Sequence, residues 1–162
     1  MALRQIREMG DEILTKPCRE VKEITPHVKE LIDDMFETLY DADGVGLAAP
    51  QVGILKRIII IDTGDDPHVL INPVLLETSG EQEGTEGCLS VPGKYGIVKR
   101  PDYAKVSYYD ENMERHELEG TALLARAICH EMDHLEGKLY VDMTKDGLHD
   151  IKELSEEEGE ES

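Results

Sequence analysis

A short segment late in the chain, His130-Glu131-Met132-Asp133-His134, has the spacing found in metal-dependent hydrolases. On a helix, the two imidazoles of this His-Glu-x-x-His pattern lie one turn apart on the same face, with the carboxylate of Glu131 between them. Two neutral imidazoles bind a divalent cation, and a carboxylate beside them is placed to take a proton from an attacking water. The pattern also arises by chance, so it needs support from other residues.

The third ligand is the next question, because a catalytic metal site of this kind has three protein ligands and one open position. The extended pattern with a third histidine fails, since Tyr140 stands at that position. Glu153 also follows the motif, but the sequence around it has little helical periodicity. Cys88 is the strongest remaining candidate.

Length and composition predict a single domain. The 162 residues suffice for one core, and no linker rich in proline, serine or glycine divides them. We expect residues 1–148 to form one catalytic domain. Residues 149–162 are strongly acidic, and we expect this tail to be disordered.

The charge and the apolar pattern exclude several classes of partner. A net charge of -19 opposes direct binding to nucleic acid. No stretch approaches the roughly 20 apolar residues needed to cross a bilayer, and the first residues lack the apolar segment of a signal peptide. Three cysteines, an odd number, suit a reducing compartment. We therefore expect a cytoplasmic protein that binds neither membranes nor nucleic acid.

The apolar periodicity predicts an α+β fold. A helix is predicted to begin at Thr25-Pro26 and to end at Gly44, and the His-Glu-x-x-His motif is predicted to lie on a second helix from Thr121 to Gly137. Between them, strands are predicted at 57–62, 68–72, 73–77, 104–110 and 114–118, with a break at Pro73 and a hairpin joining the last two. This order favours antiparallel-rich strands packed around a central metal-binding helix, with an N-terminal helix.

Two other segments have few signals of regular structure. Residues 44–53 are rich in small side chains, which allow a ligand or a strand to approach the main chain closely. The segment lacks the third glycine of a dinucleotide fingerprint and the lysine of a Walker loop, so we interpret it as a binding segment of another kind. Residues 86–93 are expected to form a loop or the end of a short strand around Cys88.

Three blocks of sequence give the chain a specific resemblance. They are Gly44-Val45-Gly46-Leu47-Ala48-Ala49-Pro50-Gln51, Glu86-Gly87-Cys88-Leu89-Ser90 and His130-Glu131-Met132-Asp133-His134, in this order. With them the chain resembles peptide deformylase of the bacterial type. The likeness extends over about residues 1 to 145, and the acidic tail has no counterpart in it.

The resemblance implies a metal centre. Cys88, His130 and His134 would bind one divalent ion, Fe²⁺ in cells, with Zn²⁺, Ni²⁺ or Co²⁺ as alternatives. A thiolate with two imidazoles suits all four metals.

The resemblance also implies a reaction, removal of the formyl group from the N-terminal formylmethionine of new polypeptides, with release of formate. Glu131 would take a proton from the attacking water and pass it to the departing nitrogen. The side-chain amide of Gln51 and the backbone N–H of Leu89 would stabilise the oxyanion.

The substrate would be a nascent peptide that begins with formylmethionine, and transient association with the ribosome is conceivable. Gly46 is our candidate for contact with the peptide main chain. Val45, Leu123 and Ala127 are candidates for the methionine pocket, although the last two positions also suit an ordinary core. Arg126 is expected either to reach toward the peptide or to be solvated.

Two side chains near the motifs have expected supporting roles. Asp133 is expected to orient a ligand imidazole or to face solvent. Glu86 is expected to pair with Arg100 and so to brace the segment around Cys88.

Two other functions remain open at this point. One is a metallopeptidase that cleaves internal peptide bonds with the same helix and Glu131. The other is a non-catalytic, metal-stabilised peptide-binding module, in which a fourth protein ligand closes the site.

Overall fold

Two helices and eight strands make up the regular structure of residues 2–152, the part of the chain that the computed structural model describes. The helices are α1 (Pro26–Asp41) and α2 (Ala122–Leu135). The strands are β1 (Gly46–Ala48), β2 (Ile58–Ile61), β3 (His68–Ser79), β4 (Gln82–Cys88), β5 (Val91–Arg100), β6 (Tyr103–Tyr109), β7 (Arg115–Thr121) and β8 (His149–Asp150). All strand pairs among these residues are antiparallel, so the predicted α+β class is confirmed. Neither α1 nor α2 is long and apolar enough to cross a membrane.

The N-terminal helix begins where the sequence predicts. Thr25 accepts a hydrogen bond from the N–H of Val28 (3.2 Å), and Pro26 occupies the first turn, where its missing N–H costs nothing. The helix ends at Asp41, three residues before the predicted Gly44. Its apolar stripe packs against β1 and β2.

Four consecutive isoleucines in β2 place this strand between the two helices. Successive side chains of a strand point to opposite faces. Ile58 and Ile60 pack in the cluster that contains α1, whereas Ile59 and Ile61 pack in the cluster that contains α2. All four are fully buried. The larger sheet, in the order β1-β2-β3-β6-β7, therefore separates α1 from α2 and fixes the height of α2 above it.

The predicted break at Pro73 is wrong, because β3 runs without interruption from His68 to Ser79. The pairing of β3 with β6 shifts register between Ile71 and Val74, and this bulge accommodates Pro73 inside the strand. The predicted β6–β7 hairpin is confirmed, with strands of seven residues each.

Cys88 lies at the end of a strand, which confirms one of the two alternatives expected for residues 86–93, but the strand itself begins earlier than the sequence indicates. Cys88 is the last residue of β4, which pairs with β5 and belongs to a smaller sheet in the order β4-β5-β8. The sequence of β4, Gln-Glu-Gly-Thr-Glu-Gly-Cys, is polar and rich in glycine, so it carries little β-propensity. Pairing with the more apolar β5 makes it a strand.

The predicted tail begins inside an ordered element. His149 and Asp150 form β8, which pairs with Tyr95 and Lys94 of β5, so the boundary at 149 is wrong for these two residues. The partners lie some 55 positions earlier in the chain, where no local pattern reveals them. Residues 153–162, on which the rest of the disorder prediction falls, lie outside the described residues.

Replacing Ile59 by alanine removes apolar groups from the fully buried contact between β2 and α2. We expect Ile59→Ala to lower the free energy of unfolding by about 2–5 kcal/mol, because the cavity it leaves closes only in part. Denaturation in urea measures the change. The matched control is Leu76→Ala on β3, whose side chain is 45% exposed and whose loss should cost about 0.5 kcal/mol or less. Equal effects of the two variants would contradict the packing described here.

Candidate active site

Three side chains with metal-binding atoms meet where the end of β4 faces α2. They are Cys88, His130 and His134, whose ligand atoms all lie within 4.8 Å of one another. The sulfur of Cys88 is 3.4 Å from Nε2 of His134. A thiolate and two imidazoles at this spacing fit one transition-metal ion. The ligand set that the resemblance implies is therefore brought together in space.

The electrostatics of the two histidines also suit a cation. Burial lowers the pKa of His134 to about 3, so its imidazole is neutral at neutral pH, as a ligand must be. Burial acts in the same direction on His130, but Glu131, Cys88 and Glu86 outweigh it and hold the pKa of this imidazole well above its usual range. Groups that favour a proton at His130 also favour a metal ion in its place.

Glu86 fixes which nitrogen of His130 is available. Its Oε2 is 2.6 Å from Nδ1 of His130. Burial raises the pKa of the Glu86 carboxyl, yet hydrogen bonds from His130 and Arg100 outweigh this and lower it to about 2. The ionised carboxylate accepts the Nδ1–H, which leaves Nε2 free to bind a metal.

Two arginines hold Glu86 in place. Arg100 donates from Nε (3.0 Å) and Nη2 (2.6 Å), as the predicted Glu86–Arg100 pair requires. Arg126 donates from Nη1 to Glu86 (2.8 Å) and from Nη2 to the carbonyl of Val98 (3.2 Å). Arg126 is not solvated, because its guanidinium is buried in this network, but it also lines the cleft, so contact with a peptide stays a prediction.

Asp133 does not orient a ligand imidazole. Its carboxylate accepts a hydrogen bond from Nη1 of Arg100 (2.7 Å). The role that the sequence analysis gave to Asp133 falls instead to Glu86, which lies 44 positions from His130 in the chain.

Glu131 lies beside the ligands in a buried position. Its Oε1 has no hydrogen-bond partner among the described residues, and burial raises the pKa of the carboxyl to about 7. A group with a pKa near neutrality both accepts and returns protons readily.

Gly46 is needed next to Glu131. A Cβ atom at position 46 would lie 2.7 Å from Oε2 and 3.1 Å from Cγ of Glu131. The sequence analysis linked this glycine to the peptide main chain. The structure adds a second reason for it, close approach of β1 to the Glu131 carboxylate.

Gln51 is held rigidly behind the ligand cluster. Its Oε1 accepts the N–H of Ala48 (2.9 Å), and its Nε2 donates to the hydroxyl of Ser90 (3.1 Å) and lies 3.5 Å from the sulfur of Cys88. The amide nitrogen is thereby directed toward the ligands. Leu89 occupies the turn between Cys88 and Ser90.

The N-terminal segment braces both of these elements. Arg7 donates its N–H to the carbonyl of Gln51 (2.7 Å), and Met9 donates its N–H to the carbonyl of Ser90 (2.7 Å). Nothing in the sequence of this segment indicates that it supports the site.

A cleft of about 370 Å³ lies in front of the ligands. The residues proposed for substrate binding, Val45, Gly46, Leu123 and Ala127, all line it, together with Cys88, Leu89, His130 and Glu131. Leu123 is half exposed, whereas Ala127 is 7% exposed and also packs in the α2 core. The cleft thus brings most of the predicted residues to one surface, whereas Gln51 and His134 are buried behind it.

Comparison with known proteins agrees with this geometry. The sequence model of the family described as polypeptide deformylase matches residues 3–148. The peptide deformylase of Agathobacter rectalis is 61% identical over 151 residues, which is 93% of this chain and 96% of the relative. That of Lachnoclostridium phytofermentans is 56% identical and covers 99% of this chain and 100% of its own length.

Solved structures give the same result for the fold. Peptide deformylase from Thermotoga maritima superposes with a TM-score of 0.87 at 39% identity, covering 90% of this chain and 99% of the other. Peptide deformylase from Synechococcus elongatus, in complex with actinonin, superposes with a TM-score of 0.84 at 47% identity, covering 86% and 78%. With nearly its whole length matched in sequence and in fold, this chain belongs to the polypeptide deformylase family.

Proposed function

We propose that Glu131, Gln51 and Leu89 carry out the reaction that membership of this family assigns to the chain. As a peptide deformylase it is a hydrolase of protein biosynthesis, which removes the formyl group from the N-terminal methionine of new polypeptides. The observation that carries our assignment of residues is their proximity, because Cys88, His130 and Glu131 line one cleft and Nε2 of Gln51 lies 3.5 Å from the sulfur of Cys88. A metallopeptidase or a non-catalytic peptide-binding module is not favoured by these relatives.

Peptide deformylases are metalloenzymes, and we assign the ligands here to Cys88, His130 and His134. This makes α2 the metal-binding helix of the fold. We propose Fe²⁺ as the ion in cells, with Zn²⁺, Ni²⁺ and Co²⁺ as ions that the same donors accept. When bound, the ion supplies a Lewis acid that polarises the formyl group and acidifies water. Glu86 keeps the Nδ1 proton on His130 and so presents its Nε2 as a donor.

Glu131 acts as the general base and then as the general acid. Its carboxylate takes a proton from the water that attacks the formyl carbon. It then returns the proton to the methionine nitrogen, which departs as a neutral amine rather than as an amide anion. The raised pKa of this carboxyl and the absence of a partner for Oε1 within residues 2–152 suit both steps.

Gln51 and Leu89 stabilise the oxygen of the formyl group as it gains negative charge. The Gln51 amide is oriented before substrate binds, because Ala48 and Ser90 hold its two ends. A donor fixed in this way needs no reorganisation during the reaction. The Leu89 N–H, one residue beyond Cys88, is the second donor that we assign.

The peptide enters along β1. This strand lies at one edge of the larger sheet, and an extended peptide adds to such an edge through main-chain hydrogen bonds at Gly46. Val45, Leu123 and Ala127 then hold the methionine side chain. We propose a single catalytic unit, formed by residues 1–148 together with β8. We also propose a cytoplasmic site of action, with only transient association with the ribosome, because the net charge of -19 opposes contact with RNA.

Formate release tests this function directly. Protein loaded with Fe²⁺ or Ni²⁺ under anaerobic conditions is expected to release formate from a formyl-methionyl tripeptide and to leave an acetyl-methionyl tripeptide intact. Glu131→Ala should lose at least about 100-fold in kcat, since it lacks the proton carrier. Glu119→Ala, on the exposed hairpin, is the control and should match the unmodified protein. Absence of formate from folded, metal-loaded protein would refute the proposed function.

Glu86→Gln tests the orientation of His130. The amide keeps the size of the side chain but removes the charge that holds the Nδ1 proton, so we expect metal affinity to fall by about 10- to 100-fold. The free energy of unfolding should fall by about 3–5 kcal/mol, because the buried guanidinium of Arg126 loses its paired carboxylate and that of Arg100 keeps only Asp133. Chelator competition measures the affinity, and Glu83→Gln on the same strand is the control. Unchanged metal affinity would exclude this role for Glu86.

Gly46→Ala tests the contact between β1 and the base. The new methyl group displaces the Glu131 carboxylate, so kcat should fall by about 10- to 100-fold while the metal remains bound. Gly87→Ala is the matched control, since a Cβ there meets nothing closer than 3.5 Å. Steady-state kinetics together with metal analysis separates the two effects. A Gly46→Ala protein with normal kcat would show that the base tolerates displacement.

A further inference from the structure

The chain returns to the cleft after α2. Lys145 donates its N–H to the carbonyl of Ile97 (2.9 Å), and β8 then pairs with the next part of β5. Thr144 packs directly over Gly96, where a Cβ atom would collide with its methyl group. The glycine therefore permits this close passage along β5.

Side-chain contacts fasten β8 to β5. Lys94 forms an ion pair with Asp150, and the ring of His149 lies 5.4 Å from the ring of Tyr95. These contacts set the position of the residue that follows, Ile151. Its side chain lines the same cleft as Cys88 and Glu131 and is 46% exposed.

Two residues of β5, Gly93 and Lys94, line the same cleft as Ile151. Gly93 has no side chain, and the ammonium group of Lys94 is neutralised by Asp150. A half-exposed isoleucine here offers apolar surface to a ligand. The mechanism assigned above uses no residue of β8 and does not use Ile151. The apolar surface of Ile151 therefore has no role in it.

The spacing of the strands indicates which residue of a bound peptide reaches Ile151. In the order β4-β5-β8, the last strand lies two spacings, about 10 Å, from the strand that carries Cys88. An extended peptide advances about 3.3 Å per residue. The side chain that meets Ile151 therefore follows the methionine and belongs to the second or third residue.

We propose that Ile151 is a specificity-determining residue, which contacts the second or third side chain of the formylated peptide and favours apolar side chains there. This inference rests on the proposed function, because it places the reacting formyl group at the ligand cluster.

The test compares formyl-methionyl tetrapeptides with leucine or serine at the second and third positions. We expect Ile151→Ser to lower the leucine-to-serine ratio of kcat/KM by about three- to tenfold. Leu76→Ser is the matched control, with 45% exposure on β3 and outside the cleft, and should leave the ratio unchanged.

Charged replacements of Ile151 should create a new substrate preference, which misfolding cannot produce. Ile151→Asp should favour peptides with lysine over those with glutamate at the same positions, and Ile151→Lys should reverse this preference. Ratios equal to those of the unmodified protein in all three variants would overturn the inference.

A binding measurement separates this inference from the proposed reaction. The affinities of Glu131→Gln protein for the same peptides are measured with and without Ile151→Ser. A preference for leucine that disappears with Ile151→Ser supports the contact between Ile151 and the peptide, even if the unmodified protein releases no formate. A preference for leucine that persists in Ile151→Ser overturns the inference about Ile151, even if the deformylase activity is normal.

Discussion

The carboxylate of Glu86 accepts hydrogen bonds from Arg100, Arg126 and His130 at once, and the geometry of the site depends on it. These donors come from β5 and α2, whereas Glu86 itself lies on β4 two residues before Cys88. One buried anion thus joins the strand that carries the thiol to the helix that carries both imidazoles. Without it, the buried guanidinium of Arg126 would lose its paired carboxylate and that of Arg100 would keep only Asp133, a costly arrangement in a low-dielectric interior.

The apolar packing of β2 against the two helices also determines the geometry of the site. The alternating isoleucines of β2 pack with α1 on one side of the sheet and with α2 on the other. The strand against which α2 packs is therefore itself held in place by α1. Tightly packed interiors transmit displacement rather than absorb it. The ion pairs of Glu86 therefore fix the orientation of α2 relative to β4 and β5, while the isoleucines of β2 fix the distance of α2 from the larger sheet.

Local sequence predicts the residues whose signal is periodic or contained in a motif. The spacing of His130 and His134 indicates the helix and its ligand face, and the isoleucine run indicates β2. The pair of Glu86 with Arg100 was predicted, but its partners Arg126 and His130 lie 40 and 44 positions away and β8 pairs across a still larger distance, so no local pattern reveals them. β4 is missed for a different reason, because its composition is unsuited to a strand until β5 pairs with it.

The backbone bonds of the N-terminal segment have a consequence for the time at which the site forms. Arg7 and Met9 bind Gln51 and Ser90, which lie beside Cys88, but His130 and His134 belong to α2, much later in the chain. At about 5–20 residues per second, synthesis from Arg7 to His134 takes roughly 6–25 s. For that whole interval at least one of Cys88, His130 and His134 has not been made, so a nascent copy of this enzyme cannot assemble its own site until most of the chain has been synthesised.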